Sequence, residues 1–185
     1  IHFYRPLLFA CLFILSSCKG PVPPSGKEMR VLDQTPSIFP EYTDITIPPN
    51  IAPLNFQVME DGEAYLALIE GMQGKAIKLR AKDKTFRIPP ARWSQLLSAN
   101  LGSRISVRIF KKAKGEWLAF TPFHLYVAKE AIDPYLVYRL IPPGYETWSD
   151  MGLYQRDLTS FRESPVIENK YIEDNCVNCH SFSQG

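Results

Sequence analysis

A chain of 185 residues, 45% hydrophobic and 22% charged, has room for a real core and falls outside the disordered and collagen-like classes. Its formal charge of +2, with both signs mixed along the sequence, argues against a nucleic-acid binder driven by phosphate contacts. The 16 prolines point to turns and extended segments rather than a helical bundle.

In chain order, IHFYRPLLFACLFILSSCKG comes first, with His2 and Arg5 ahead of an apolar run from Leu7 to Leu15 and then small residues, the layout of an export signal. The run is short for a transmembrane helix. Leu15-Ser16-Ser17-Cys18 resembles the bacterial lipobox, which implies that residues 1–17 are a lipoprotein signal peptide and that Cys18 becomes an acylated N-terminus on a membrane. A conventional signal with an incidental cysteine is the alternative. Removing Arg5 with the leader brings the net charge close to zero, so the basic pI carries no functional message. No acidic run follows Cys18, and the expected location is the cell envelope, lipid-anchored and facing the periplasm.

Residues 18–45, with GPVPPSG and TPSIFP, read as an extended Pro-rich tether. Residues 46–134 then alternate apolar and polar positions over Leu54–Met59, Ala64–Ile69, Ala76–Leu79, Thr85–Ile88, Arg104–Phe110, Trp117–Phe120 and His124–Ala128. Turn residues such as Asp61-Gly62, Gly71 to Gly74 and Lys114-Gly115 separate them. This texture predicts a mainly β fold, an antiparallel β-sandwich of fibronectin or immunoglobulin type. In RISVRIF, Ile105, Val107 and Ile109 face one way and Arg104, Ser106 and Arg108 the other. PARWSQLLSANLG is the exception: Trp93, Leu96, Leu97 and Leu101 recur at helical spacing and Gly102 is a C-terminal stop, predicting one short helix.

Residues 135–185 change texture again. Tyr135, Tyr138, Tyr145, Trp148, Tyr154 and Phe161 are interrupted by Pro142, Pro143, Gly144 and Gly152, and the stretch is expected to be irregular and to pack against the sandwich, a haem or a further domain. It ends in NCVNCHSF, where Cys176, Cys179 and His180 are spaced C-x-x-C-H. Two cysteines three apart reach the two vinyl groups of one haem as thioethers, and the adjacent histidine then ligates the iron. A structural zinc site needs four ligands, and no second C-x-x-C or histidine cluster accompanies this one. A thioredoxin-like pair opens a helix in a βαβ setting, which this texture does not suggest. A disulfide between Cys176 and Cys179 stays open, since thiols in an oxidising compartment tend to pair.

Covalent haem c is thus the expected cofactor, with Cys176 and Cys179 as attachment points and His180 as the proximal ligand. For the sixth iron position the exported part offers His124 and four methionines, Met29, Met59, Met72 and Met151. Met151 is the methionine nearest the motif and sits among aromatics, and it ranks with His124 as the distal candidate; a five-coordinate iron is the third option. No G-x-S-x-G, H-E-x-x-H or glycine-rich phosphate loop is present, Glu173-Asp174 reads as a solvated run, and no catalytic residue is assigned. The competing reading is an envelope binding module with a structural disulfide, served by exposed Trp93, Trp117 and Trp148.

ITIPPNIAPLNF, YRLIPPGYETWSDMGLYQRDLTSF and CVNCHSF together resemble the N-terminal part of Bacteroidetes lipoproteins of the TolB-like or cytochrome c-type group, across about Thr46 to Phe182. The resemblance implies a lipobox, a β-rich domain, haem on Cys176 and Cys179 with His180 on the iron, and then a C-terminal β-propeller that this sequence does not include. The expectation is therefore of a fragment. Its expected partners are the membrane through the lipid anchor and a redox protein, with no nucleic acid.

Overall fold

The computed structural model describes residues 29–144 and 149–171. The chain is mainly β, with several sheets and one α-helix among the described residues. The main sheet is built on β8 (Arg104–Ala113), whose alternation buries Ile105, Val107 and Ile109 as expected. Along one edge β8 pairs antiparallel with β5 (Ala64–Gly71), which continues to β6 (Ile77–Ala81). Along the other edge its first half pairs with β10 (Phe123–Val127) and its second half with β9 (Glu116–Ala119). A smaller antiparallel sheet joins β2 (Ile38–Phe39), β4 (Phe56–Val58) and β7 (Thr85–Phe86).

One helix, α1 (Pro90–Ala99), follows β7, with proline at its first turn, where a missing N–H costs nothing. It buries Trp93, Leu96 and Leu97; Leu101 lies beyond its end and is exposed, so only three of the four expected positions form its apolar face. These three pack with the inner faces of both sheets, including Tyr65, Ile69, Ile105, Val107, Phe56, Val58 and Phe86, in one core. The Trp93 indole N–H donates to Ile51 O at 3.1 Å, which satisfies the one polar atom that side chain brings inside.

Two segments differ from expectation. The stretch predicted as tether up to residue 45 enters the sheets at Arg30. There β1 (Arg30–Val31) runs parallel to β9, β2 pairs with β4, and β3 (Ile45–Ile47) runs parallel to β10. Its prolines sit beside these short strands, where the missing N–H is tolerated, and long-range pairing decides what local composition does not. The stretch after Pro134, expected to be irregular, opens as an antiparallel sheet of β11 (Tyr135–Leu140), β12 (Gly152–Asp157) and β13 (Glu163–Glu168). A 3-10 turn over Asn169–Tyr171 follows.

Backbone hydrogen bonds tie this last sheet to the rest. Ala52 N–H donates to Leu158 O at 2.7 Å, and Leu158 N–H donates to Pro134 O at 2.8 Å. Asn50 adds a two-way clip to Ile132, its amide donating to the carbonyl at 2.8 Å and its oxygen accepting the N–H at 3.1 Å. A cleft of about 240 Å3 at this junction is lined by Asn50, Ile51, Pro53, Trp93 and Thr159 among others.

Candidate functional site

Cys18, Cys176, Cys179 and His180 lie outside the described residues. So does Trp148. The described residues lead to the C-x-x-C-H motif through β13 and the 3-10 turn, and Tyr171 is five residues before Cys176. The end of the β11–β13 sheet from which the chain departs is therefore the nearest part of the described structure along the sequence.

Met151 is at that end. It directly precedes β12, is half-buried, and its carbonyl accepts the Asn169 N–H at 2.9 Å. Asn169 itself is buried. Next to Met151, Gly152 is required by close approach: a Cβ there would meet Ile167 O at 2.6 Å. The absent side chain lets β13 pass close beside β12 and sets the backbone of Met151 against the first residue of the turn that precedes the C-x-x-C-H stretch in the sequence.

Glutamates on β13 fix the neighbouring tyrosines. Tyr154 donates its phenol to Glu168 Oε1 at 2.6 Å, and Lys170 pairs with the other oxygen at 3.1 Å. The Glu168 carboxylate raises the phenol of Tyr154 to about 12, with burial adding to it, and is in turn held below the usual carboxylate range, chiefly by that phenol. Tyr138 donates to Glu163, which raises its phenol, and Arg156 bonds the same carboxylate at 3.2 Å. The two rings stack at 6.3 Å between centroids. At the opposite end of β12, Asp157 accepts from Thr159 N–H and Oγ1, Ser160 Oγ and Arg162, and the hydroxyls of Thr159 and then Ser160 hold its carboxyl far below the ordinary range. These carboxylates lock strands and turns.

The same sheet leaves apolar side chains in solvent. Tyr135, Leu136, Leu140, Ile141, Phe161, Val166 and Tyr171 are all exposed, Ile141 by 51% and Tyr171 by 64%. A half-buried or covered sheet does not normally show such a row.

His124 is placed differently. It lies on β10 in the main sheet, opposite Ser106, its N–H donating to Asp44 Oδ1 at 3.0 Å and its Nδ1 3.7 Å from the same oxygen. Phe120 precedes the strand and is buried, whereas Tyr126, two residues on from His124, shares its outer face. The structure thus does not bring His124 and Met151 to one site. Of the other methionines, Met72 is an exposed turn residue, Met59 is exposed, and Met29 packs against the cluster of Leu66, Phe110 and Ala119. Of the tryptophans offered as binding residues, Trp93 is buried at 1% exposed, and Trp117 is half-buried against the cluster of Leu66, Phe110 and Ala119.

Sequence reasoning missed Asp157, Glu163 and Glu168 as organising groups. For Asp157 a signal existed, since Asp-x-Thr-Ser is an Asx-turn signature. For the tyrosine pairs it did not, because a register shift between Leu153 and Tyr154 decides which residues face each other. Among the described residues no group of three or more His, Cys, Asp or Glu could hold a metal ion, and no helix is long and apolar enough to cross a membrane. Comparison with known proteins finds no matching family model, no matching curated protein and no matching solved structure.

Proposed function

We propose that this chain belongs to an exported, lipid-anchored protein that carries haem covalently on Cys176 and Cys179, with His180 as the proximal ligand, and passes electrons in the bacterial cell envelope. The observation that carries the reading is the C-x-x-C-H string in a sequence that begins with a signal-like segment and a lipobox-like Cys18. The donor chemistry of the adjoining residues fits the group: a thioether at Met151 and exposed Leu140, Ile141 and Tyr171 suit an iron and an apolar macrocycle. When bound, the haem supplies one-electron chemistry. The chain's own contribution is the covalent hold, the placement of its ligands, and a β-rich scaffold that joins the haem segment to the anchored end.

A second reading, an envelope binding module whose two C-terminal cysteines close a disulfide, draws on the exposed row of Tyr135, Leu136 and Ile141. Intact-mass measurement after expression in a host with a haem-attachment system separates the two. A large covalent increment with a pyridine haemochrome spectrum is the expected result. A loss of two protons with no haem stain on a denaturing gel supports the disulfide and refutes the haem.

A further inference from the structure

We infer that the outer face of the main sheet, the side of β5, β6, β8 and β10 turned away from the core, is a docking surface for an anionic lipid bilayer, with Lys78, Arg80, Arg104, Arg108 and Lys112 as its cations. The surface is independent of the haem reading and stands or falls without it.

Strand register builds the face. Ile105, Val107 and Ile109 of β8 are buried in the core, so the pleat turns Arg104, Arg108 and Lys112 to the opposite side. On β6 the same alternation buries Ile77 and Ala81 and leaves Lys78 and Arg80 exposed outside. Pairing then lays Lys78, Leu68 and Arg108 in one row across three strands, with Arg80, Leu66 and Phe110 in another. Tyr126 stands out beside Arg104 on the neighbouring β10.

Its charge is of one sign. A chain whose formal charge is only +2 has gathered these five cations on one sheet face. Glu70 is the only carboxylate at an outward position of these four strands, and it pairs with Arg108 at 3.3 Å. Lys78, Arg80, Arg104 and Lys112 form no salt bridge among the described residues. Asp44, beside His124, lies at the β3 margin. Protein surfaces ordinarily intersperse both signs, so a single-sign field marks a partner of opposite charge.

Apolar groups between the cations select the partner. Leu66, Phe110 and Ala119 form a cluster on this face, with Met29, Leu68 and Trp117 packed against it. Val31 and Tyr126 are exposed, and a cleft of about 350 Å3 is lined by Met29, Val31, Arg108, Phe110 and Ala119 among others. An acidic polypeptide held by charge would use the cations alone, whereas a bilayer also takes up apolar groups at the boundary of headgroups and acyl chains. Met29 follows Cys18 by eleven residues, so a chain anchored there would enter the fold on the face that meets the lipid; this point alone rests on the proposed anchor.

The test uses the 185-residue chain carrying Cys18→Ser, so that no acyl group contributes, in sedimentation with vesicles of phosphatidylcholine alone or mixed with phosphatidylglycerol. The apolar leader is common to every arm. Binding should be much stronger to the phosphatidylglycerol vesicles and should be released at about 1 M salt, where the screening length falls to about 3 Å. Each cation at an anionic surface is worth about fivefold in partitioning, so Lys78→Ala combined with Arg80→Ala should weaken binding about twentyfold, with unchanged far-UV circular dichroism. Arg92→Ala, at an exposed position of the helix that packs on the inner face, should leave binding unchanged. Equal binding to both vesicle types, or undiminished binding in the double variant, overturns the inference. Binding to soluble polyglutamate in preference to the vesicles overturns it in favour of an acidic protein partner.

Discussion

Asn100 offers the most direct check on how the helix is fixed to the main sheet. The residue follows α1, is 2% exposed, and is completely used: its amide donates to Gln73 O at 2.9 Å and to Leu96 O at 2.8 Å, and its oxygen accepts the Gln73 N–H at 3.1 Å. It therefore ends the helix and closes the β5–β6 turn with the same side chain. Asn100→Ala removes three hydrogen bonds from a buried side chain and releases the exposed β5–β6 turn it holds; at about 0.5–1.5 kcal/mol net for each bond, the expected loss is about 2–4 kcal/mol. In a thermal melt of a chain this size that corresponds to a drop of about 5–15 °C. Gly71 sharpens the test, because a Cβ at that position would stand 2.3 Å from the Asn100 Nδ2. Gly71→Ala alone should cost about 1–3 kcal/mol by overpacking. With Asn100 already truncated to alanine the obstruction is gone, so the double variant should be more stable than the sum predicts by about 1 kcal/mol or more. Urea denaturation followed by circular dichroism measures all three variants. Strict additivity, or a loss below about 0.5 kcal/mol for Asn100→Ala, would refute the reasoning, since surface changes rarely exceed that size.

Spectrophotometric titration of the folded protein should find one tyrosine ionising near pH 12, that of Tyr154, and Glu168→Gln should bring it back towards the ordinary value near 10. Because the folded value is raised, the pair's stabilisation is complete below about pH 10 and is lost as pH climbs from there to about 12; a set of tyrosines all titrating near 10 contradicts the pairing. Asn50→Ala removes both bonds to Ile132, and limited proteolysis between Lys129 and Pro134 should then speed up by about tenfold, as two exposed hydrogen bonds worth roughly 1.4 kcal/mol together would dictate. An unchanged cleavage pattern would mean that the clip does not restrain this crossing.

Seven apolar alternations after Leu54 correspond to β4 through β10, and the helix at Pro90–Ala99 announced itself through Trp93, Leu96 and Leu97. Those signals are local: period two, period 3.6 and turn residues can be read without knowing what lies across the sheet. Arg30–Val31 and Ile45–Ile47 carry little such signal, since two or three residues have no period, and they become strands because β9 and β10 present open edges to them. The sheet after Pro134 was hidden for a different reason. Its strands are apolar on positions that face solvent, so Tyr135, Leu136 and Val137 in succession blur the alternation that would have revealed β11. The candidate ligands were nominated by residue type alone, and the structure sets them in different sheets, His124 on β10 and Met151 just before β12.

The early entry of the chain into the sheets also bears on the reach that the proposed lipid anchor would allow. With Cys18 acylated as proposed, a tether running to residue 45 would allow the folded body to wander up to roughly 90–95 Å from the lipid surface, at about 3.5 Å per residue. The first pairing at Arg30, reinforced by the Leu32 N–H to Ala119 O bond of 2.7 Å and the Thr121 N–H to Gln34 O bond of 3.0 Å, shortens that to roughly 40 Å. Were Cys18 the anchor, the folded body would thus be confined to a shell less than half as deep as the longer tether allows, and any partner would have to lie within it.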